Sequence, residues 1–155
     1  MLEQVGLLDD RFFMYYEDTD LSWRARLAGW KVVYAPKAVI PHIHCGTTEE
    51  WSSFFLFYTD RNRLAMVLKN GSSSQVANVW GGYIFGVLRM GYELLRGLIR
   101  RDRKLRALAG RLRISLQVIG SLLLWLPVLF RDRYQIHHRA KVKSSQIDMW
   151  FLDVE

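Results

Sequence analysis

The sequence predicts an α/β unit over residues 1–70, a linker at 71–75, and a mainly helical, membrane-associating region over 76–155. Three observations carry this prediction. Short aromatic and β-branched runs alternate with amphipathic segments up to residue 70. Asn70-Gly71-Ser72-Ser73-Ser74 then gathers turn-forming and flexible residues. Beyond it, residues 76–88 and 114–130 are uncharged runs set among arginines.

The elements follow in order. Leu2 to Leu8 reads as the tail of a helix or a short turn closed by Gly6. Phe12-Phe13-Met14-Tyr15-Tyr16 has strand character. Glu17, Asp18 and Asp20 crowd the start of the next segment, Leu21, Ala25 and Ala28 follow at helical spacing, and Gly29 closes it. Acids at the first turn, Arg24 and Arg26 later and a terminal glycine are the start and stop signals of an amphipathic helix. Residues 31–35 and 38–44 read as extended segments, bounded or interrupted by Pro36 and Pro41. Thr47-Thr48-Glu49-Glu50 fits a capping box, and a helix is expected from there to about Lys69.

With 155 residues the chain is long enough for one core, or for a small domain with an appendage. Half of it is hydrophobic and it holds six Trp, which excludes a disordered chain. The formal charge of +7 is unevenly placed. Residues 1–60 carry five Lys/Arg against nine Asp/Glu, whereas 61–155 carry seventeen against six. Regions of opposite charge are expected to meet different partners. Cys45 is the sole cysteine, so no internal disulfide forms, which is compatible with a reducing compartment. The first ten residues offer neither a basic n-region nor an apolar h-region, so no secretory signal is expected. There is no internal repeat.

The stretch that carries chemistry runs from Phe12 to Trp30. A Glu17-Asp18 pair ahead of a helix serves as an electrostatic cap in many proteins. A carboxylate at such a junction is also placed to face a cleft and to accept a proton from a bound hydroxyl. Residue types alone leave both readings open. Arg24 fits a structural pair with Asp20 four residues earlier, and Trp23 and Trp30 fit core positions.

The ordered set Phe12, Phe13, Glu17, Asp18, Asp20, Leu21, Arg24 and Gly29 resembles the C-terminal motif block of inverting family 2 glycosyltransferases. The likeness is greatest to the rhamnosyltransferase-like enzymes of bacterial cell-surface polysaccharides. Pro36-Lys37-Ala38, leading to His42, extends it, so that it covers roughly residues 2–70. The resemblance implies a GT-A fold, of which this chain would supply a C-terminal, acceptor-side fragment of the α/β core. It implies Asp18 as the general base, Glu17 as an acceptor-binding residue, and His42 as a metal ligand completing a site with an upstream carboxylate motif. It further implies a nucleotide-diphospho-sugar donor, a divalent cation (Mg or Mn) and inversion at the anomeric carbon. The donor-binding strands and their Asp-x-Asp would lie ahead of this block, so the isolated chain is expected to be inactive. His44, two residues on, shares a strand face with His42, and a plain strand-end histidine fits His42 equally well.

From Arg89 to Arg113 there are nine Lys/Arg against Glu93 and Asp102. Residues 114–130 are near the lower length limit for a membrane span and basic on both flanks, a pattern that favours lying in the interface over crossing it. The expected partners are an anionic membrane surface and a saccharide or polyprenyl-linked acceptor, at the cytoplasmic face of a bacterial inner membrane. No nucleic-acid reading motif accompanies the basic region. The competing expectation is a non-catalytic membrane-associated adaptor that keeps only the acceptor-side fold.

Overall fold

The structure is a computed structural model that describes residues 1–41, 49, 51–100 and 105–149. Among the described residues six helices follow in order: α1 (Leu2–Val5), α2 (Glu17–Leu27), α3 (Ser53–Asn70), α4 (Ser73–Arg100), α5 (Leu105–Arg139) and α6 (Ser144–Met149). The second half of α3 is the centre of the molecule. Leu64, Ala65, Met66, Val67 and Leu68 are all buried, because α2, α4 and α5 all pack against α3. Phe12, Trp23 and Leu27 join them from the N-terminal part, and Val118, Leu122 and Leu129 from α5. Side chains from both sides of residue 70 thus share one core.

Local signals explain where the helices stop. After α2, Gly29 takes φ 90°, the Gly29 N–H donates to the Arg26 carbonyl (3.0 Å) and the Trp30 N–H to the Ala25 carbonyl (2.9 Å). This paired closure needs a left-handed residue, which glycine adopts without a Cβ penalty. The Ser52 hydroxyl caps α3 by accepting from the Phe55 N–H at 3.1 Å. The helix therefore starts later than expected, and Thr47, Thr48 and Glu50 of the anticipated capping box lie outside the described residues. The stretch expected as a linker is mostly helix. Only Gly71 and Ser72 separate α3 from α4, and Arg133 of α5 donates to the Leu68 and Gly71 carbonyls, both at 2.7 Å.

The predicted α/β class is overturned, and with it the reading of this chain as part of a GT-A sheet. Among the described residues there is no strand. Three segments had been expected to extend. Phe13, Tyr15 and Tyr16 instead have φ of 61°, 68° and 68°, left-handed values that no strand contains. Residues 31–41, including Val33 (76% exposed) and Tyr34 (90%), lie open to solvent with no neighbouring strand. Apolar alternation alone does not make a strand, because its N–H and C=O groups need a partner to pair with. Trp23 is core as expected, but Trp30 is half exposed and its indole N–H donates to Gln4 Oε1 at 2.9 Å.

α5 absorbs the second uncharged run. It is long and apolar enough to associate with a membrane, and 28% of its most apolar window is buried inside the protein. Its inward side, with Ile114, Ser115, Val118, Leu122 and Leu129, packs against the core.

Candidate functional site

The candidate carboxylates sit where a strained loop runs into α2. Phe12 is buried and anchors the loop. The Met14 N–H reaches back to the Phe12 carbonyl at 2.6 Å, the bonding pattern of a γ-turn about Phe13. Tyr15 and Tyr16 follow in left-handed conformations, and Tyr16 occupies the position just before the helix. Such conformations cost on the order of 1 kcal/mol or more each for residues with a Cβ, so neighbouring structure must hold them.

Arg61 and Asn62 of α3 do the holding. The buried Asn62 carboxamide donates from Nδ2 to the carbonyls of Phe12 (2.8 Å), Met14 (2.6 Å) and Tyr15 (2.9 Å). Arg61 Nη2 donates to the carbonyls of Arg11 (3.0 Å) and Phe12 (3.3 Å). The Arg61 guanidinium lies over Trp125 at 4.4 Å and over Tyr58 at 4.6 Å, and its burial lowers its pKa.

Asp20 anchors the first turn of α2 from within. Fully buried, it accepts from Arg24 Nε at 2.8 Å and Asn70 Nδ2 at 2.8 Å, and pairs with Lys69 Nζ at 3.0 Å. The expected Asp20–Arg24 pair is therefore present. Arg24 also donates to the Leu7 carbonyl at 2.8 Å and to that of Val5, tying α1 to α2. Lys69 bridges onward to Asp9 at 2.7 Å, and Asp9 accepts from Arg11 Nε at 2.7 Å. Burial pushes the Asp9 carboxyl up, but the bonds and charges of Arg11 and Lys69 outweigh it and hold the carboxyl well below its usual range.

The carboxylates with which the site was predicted lie on the other side of that turn. Asp18 is exposed, and its Oδ1 accepts from the Thr19 N–H (2.6 Å) and hydroxyl (3.1 Å). No described residue bonds its Oδ2. Glu17 is half-buried, and its Oε2 is enclosed without a hydrogen-bond partner. An enclosed acceptor left without a donor is costly unless a ligand or another group supplies one. Asp18 and Asp20 are two residues apart on one helix, which sends them to different sides. The sequence Asp18-Thr19-Asp20 is therefore not a paired-carboxylate metal site. Among the described residues no group of three or more His, Cys, Asp or Glu converges. His42 lies outside the described residues.

Aromatic rings surround the loop. Phe13 packs on Tyr58 at 5.6 Å between ring centroids, Tyr15 on Phe55 at 5.3 Å, and Trp51 on Phe55 at 5.8 Å. Phe13 and Trp51 remain about 70% exposed. A cleft of about 470 Å³ lies elsewhere, between α1, α2 and the end of α5, with Val5, Arg24, Leu27 and Ile136 in its wall. Neither Glu17 nor Asp18 lines it. The charge network under the loop was not foreseen, apart from the Asp20–Arg24 pair. Its signal was the pairs Arg61-Asn62 and Lys69-Asn70 in the helix that forms the core, where buried polar groups need specific partners.

Similarity to known proteins covers part of the chain. The sequence is 38% identical over 68 aligned positions to the N-acetylglucosaminyl-diphospho-decaprenol L-rhamnosyltransferase of two strains of Mycobacterium tuberculosis, CDC 1551 / Oshkosh and H37Rv. That alignment takes in 38% of this chain and 22% of each relative, so the chain spans less than a quarter of the curated relatives' length. No family model matches the sequence, and no solved structure matches significantly. The likeness supports a glycosyltransferase-like relationship over that part of the chain alone.

Proposed function

We propose that this chain carries the acceptor-side carboxylates of an inverting glycosyltransferase acting on a saccharide linked to a polyprenyl diphosphate. In this reading Asp18 removes the proton from the acceptor hydroxyl as that oxygen bonds to the anomeric carbon of the donor. The bond from that carbon to the nucleotide diphosphate breaks on the opposite face, inverting the configuration. Glu17 accepts a hydrogen bond from a neighbouring hydroxyl of the acceptor, giving its enclosed Oε2 the donor it lacks. The similarity to a rhamnosyltransferase favours a deoxyhexose as the transferred sugar. The divalent cation expected of such chemistry has no three-residue cluster among the described residues, and no step is routed through one.

The observation that carries the reading is the placement of Asp18. It is solvent-accessible, one oxygen is oriented by Thr19 and the other is unbonded by described residues, and the loop before it is fastened by Asn62. A general base needs that combination of fixed position and open lone pair. The test is transfer of sugar from a nucleotide-sugar donor to a polyprenyl-linked acceptor, in the complete transferase that contains this sequence. Asp18→Asn is expected to lower turnover by roughly 10²–10⁴-fold while donor affinity is kept. Unchanged turnover would remove Asp18 from the base role and favour a non-catalytic adaptor.

A further inference from the structure

α4 is packed on one side only. Trp80, Tyr83 and Val87 face the core, with the Trp80 indole N–H donating to the Leu64 carbonyl at 3.1 Å. On the outward side Phe85 (68% exposed), Leu88 (68%), Tyr92 (62%) and Leu95 (64%) follow at spacings of three and four residues. These spacings place the four side chains on a single stripe along the helix. Arg89 and Arg96 each follow a member of the stripe by one residue and lie at its edge; Arg89 is 68% exposed and makes only a long surface pair with the exposed Glu93 at 3.9 Å among the described residues. The inward contacts are already made, so the stripe cannot be buried by rolling the helix over.

We infer that this outward face of α4 docks on an anionic lipid bilayer, lying in the interface with its arginines on lipid phosphates. The inference does not depend on the transferase reading. The charge pattern selects the occupant. From residue 89 to 113 the sequence carries nine Lys/Arg against two acids, so a second copy of the chain would bring like charge against like. A surface of anionic headgroups over hydrocarbon complements both the arginines and the apolar stripe. α5 has outward apolar residues too, among them Leu123 and Leu124. However, residues 114–130 hold no basic side chain, and Gly120 and Pro127 interrupt the row. Along the exposed face of α4 apolar and cationic side chains interleave, as they do not within 114–130. Docking also leaves α5 in the core, which crossing the bilayer would not, since Val118, Leu122 and Leu129 are fully buried there.

The experiment is co-sedimentation of the full chain with vesicles of phosphatidylcholine, with and without phosphatidylglycerol, at low and high salt. Binding is expected to require phosphatidylglycerol and to weaken with salt. Phe85→Ser and Leu88→Ser are each expected to weaken it roughly tenfold. Arg89→Glu with Arg96→Glu is expected to weaken it by about twentyfold or more and to erase the preference for the anionic lipid. Leu123→Ser with Leu124→Ser should change it little. All substituted positions are on the surface, and unchanged far-ultraviolet circular dichroism confirms folding. The inference is overturned if the α5 pair and not the α4 variants abolishes binding, or if retention survives high salt and carbonate. A chain that ignores vesicles but forms dimers broken by Phe85→Ser overturns it in favour of self-association.

Discussion

Replacing Asn62 with Ala tests whether one carboxamide holds the loop in front of Asp18. The fully buried wild-type Nδ2 faces three carbonyls at 2.6–2.9 Å. Two N–H bonds serve those three acceptors, so one bond is shared between two of them. Each bond to a buried carbonyl contributes about 1 kcal/mol, and stranding an acceptor costs about 1–3 kcal/mol. Two lost bonds and one stranded carbonyl come to roughly 3–5 kcal/mol. Against this, the freed loop relaxes its left-handed residues and recovers about 1–2 kcal/mol. The net expectation is a loss of about 1–4 kcal/mol, concentrated in the loop. Urea unfolding followed by circular dichroism gives the global value. Limited chymotrypsin cleavage at Phe13, Tyr15 and Tyr16 reports the loop, and cleavage should accelerate more than global stability alone accounts for. A variant within about 0.5 kcal/mol of wild type, with unchanged cleavage, would show that the loop is held by something other than Asn62.

Two further outcomes follow from the charge network below α2. Lys69→Met removes the ammonium shared by Asp9 and Asp20, leaves Asp20 with Arg24 and Asn70, and is expected to cost about 3–5 kcal/mol in urea unfolding. For pH, Asp9 has a folded-state pKa depressed below its ordinary 3.8. Its stabilising contribution is therefore complete above about that value and is lost as pH falls below it toward the folded pKa. Asp9→Asn should flatten that acid limb of a thermal-melt series, and an unaltered limb would place the acid sensitivity on another carboxylate.

The helices were legible because their signals are local. Acids ahead of Leu21 and a glycine at position 29 marked α2 to within a few residues, and the end of α3 fell one residue beyond the expected Lys69. The sheet was misread because its signal is not local. The run from Phe12 to Tyr16 has strand composition, but its conformation is set by Arg61 and Asn62, about fifty positions away. Residues 31–41 have the right residue types for strands, and no pairing partner accompanies them among the described residues. Residues 70–74 read as a linker because Gly and Ser are common in linkers, yet a two-residue turn between long helices uses the same residues.

The acidic cluster shows how far residue identity can go. Glu17, Asp18 and Asp20 are alike in composition, and their sequence positions invite one shared role. Helical geometry separates them. Asp20 turns inward and is used up by Arg24, Lys69 and Asn70, so no lone pair remains for an external proton that does not first break a buried ion pair. Asp18, on the open side of the same turn, is bonded among the described residues only through one oxygen to its neighbour Thr19. The two acids are thereby complementary. The buried one fixes the turn, and the fixed turn gives the exposed one a defined position without occupying it. Asp20→Asn is accordingly expected to weaken the fold and to impair transfer by displacing Asp18, whereas Asp18→Asn is expected to leave urea stability within about 0.5 kcal/mol while removing transfer. Equal losses of stability in the two variants would contradict this division between a structural and a reactive carboxylate.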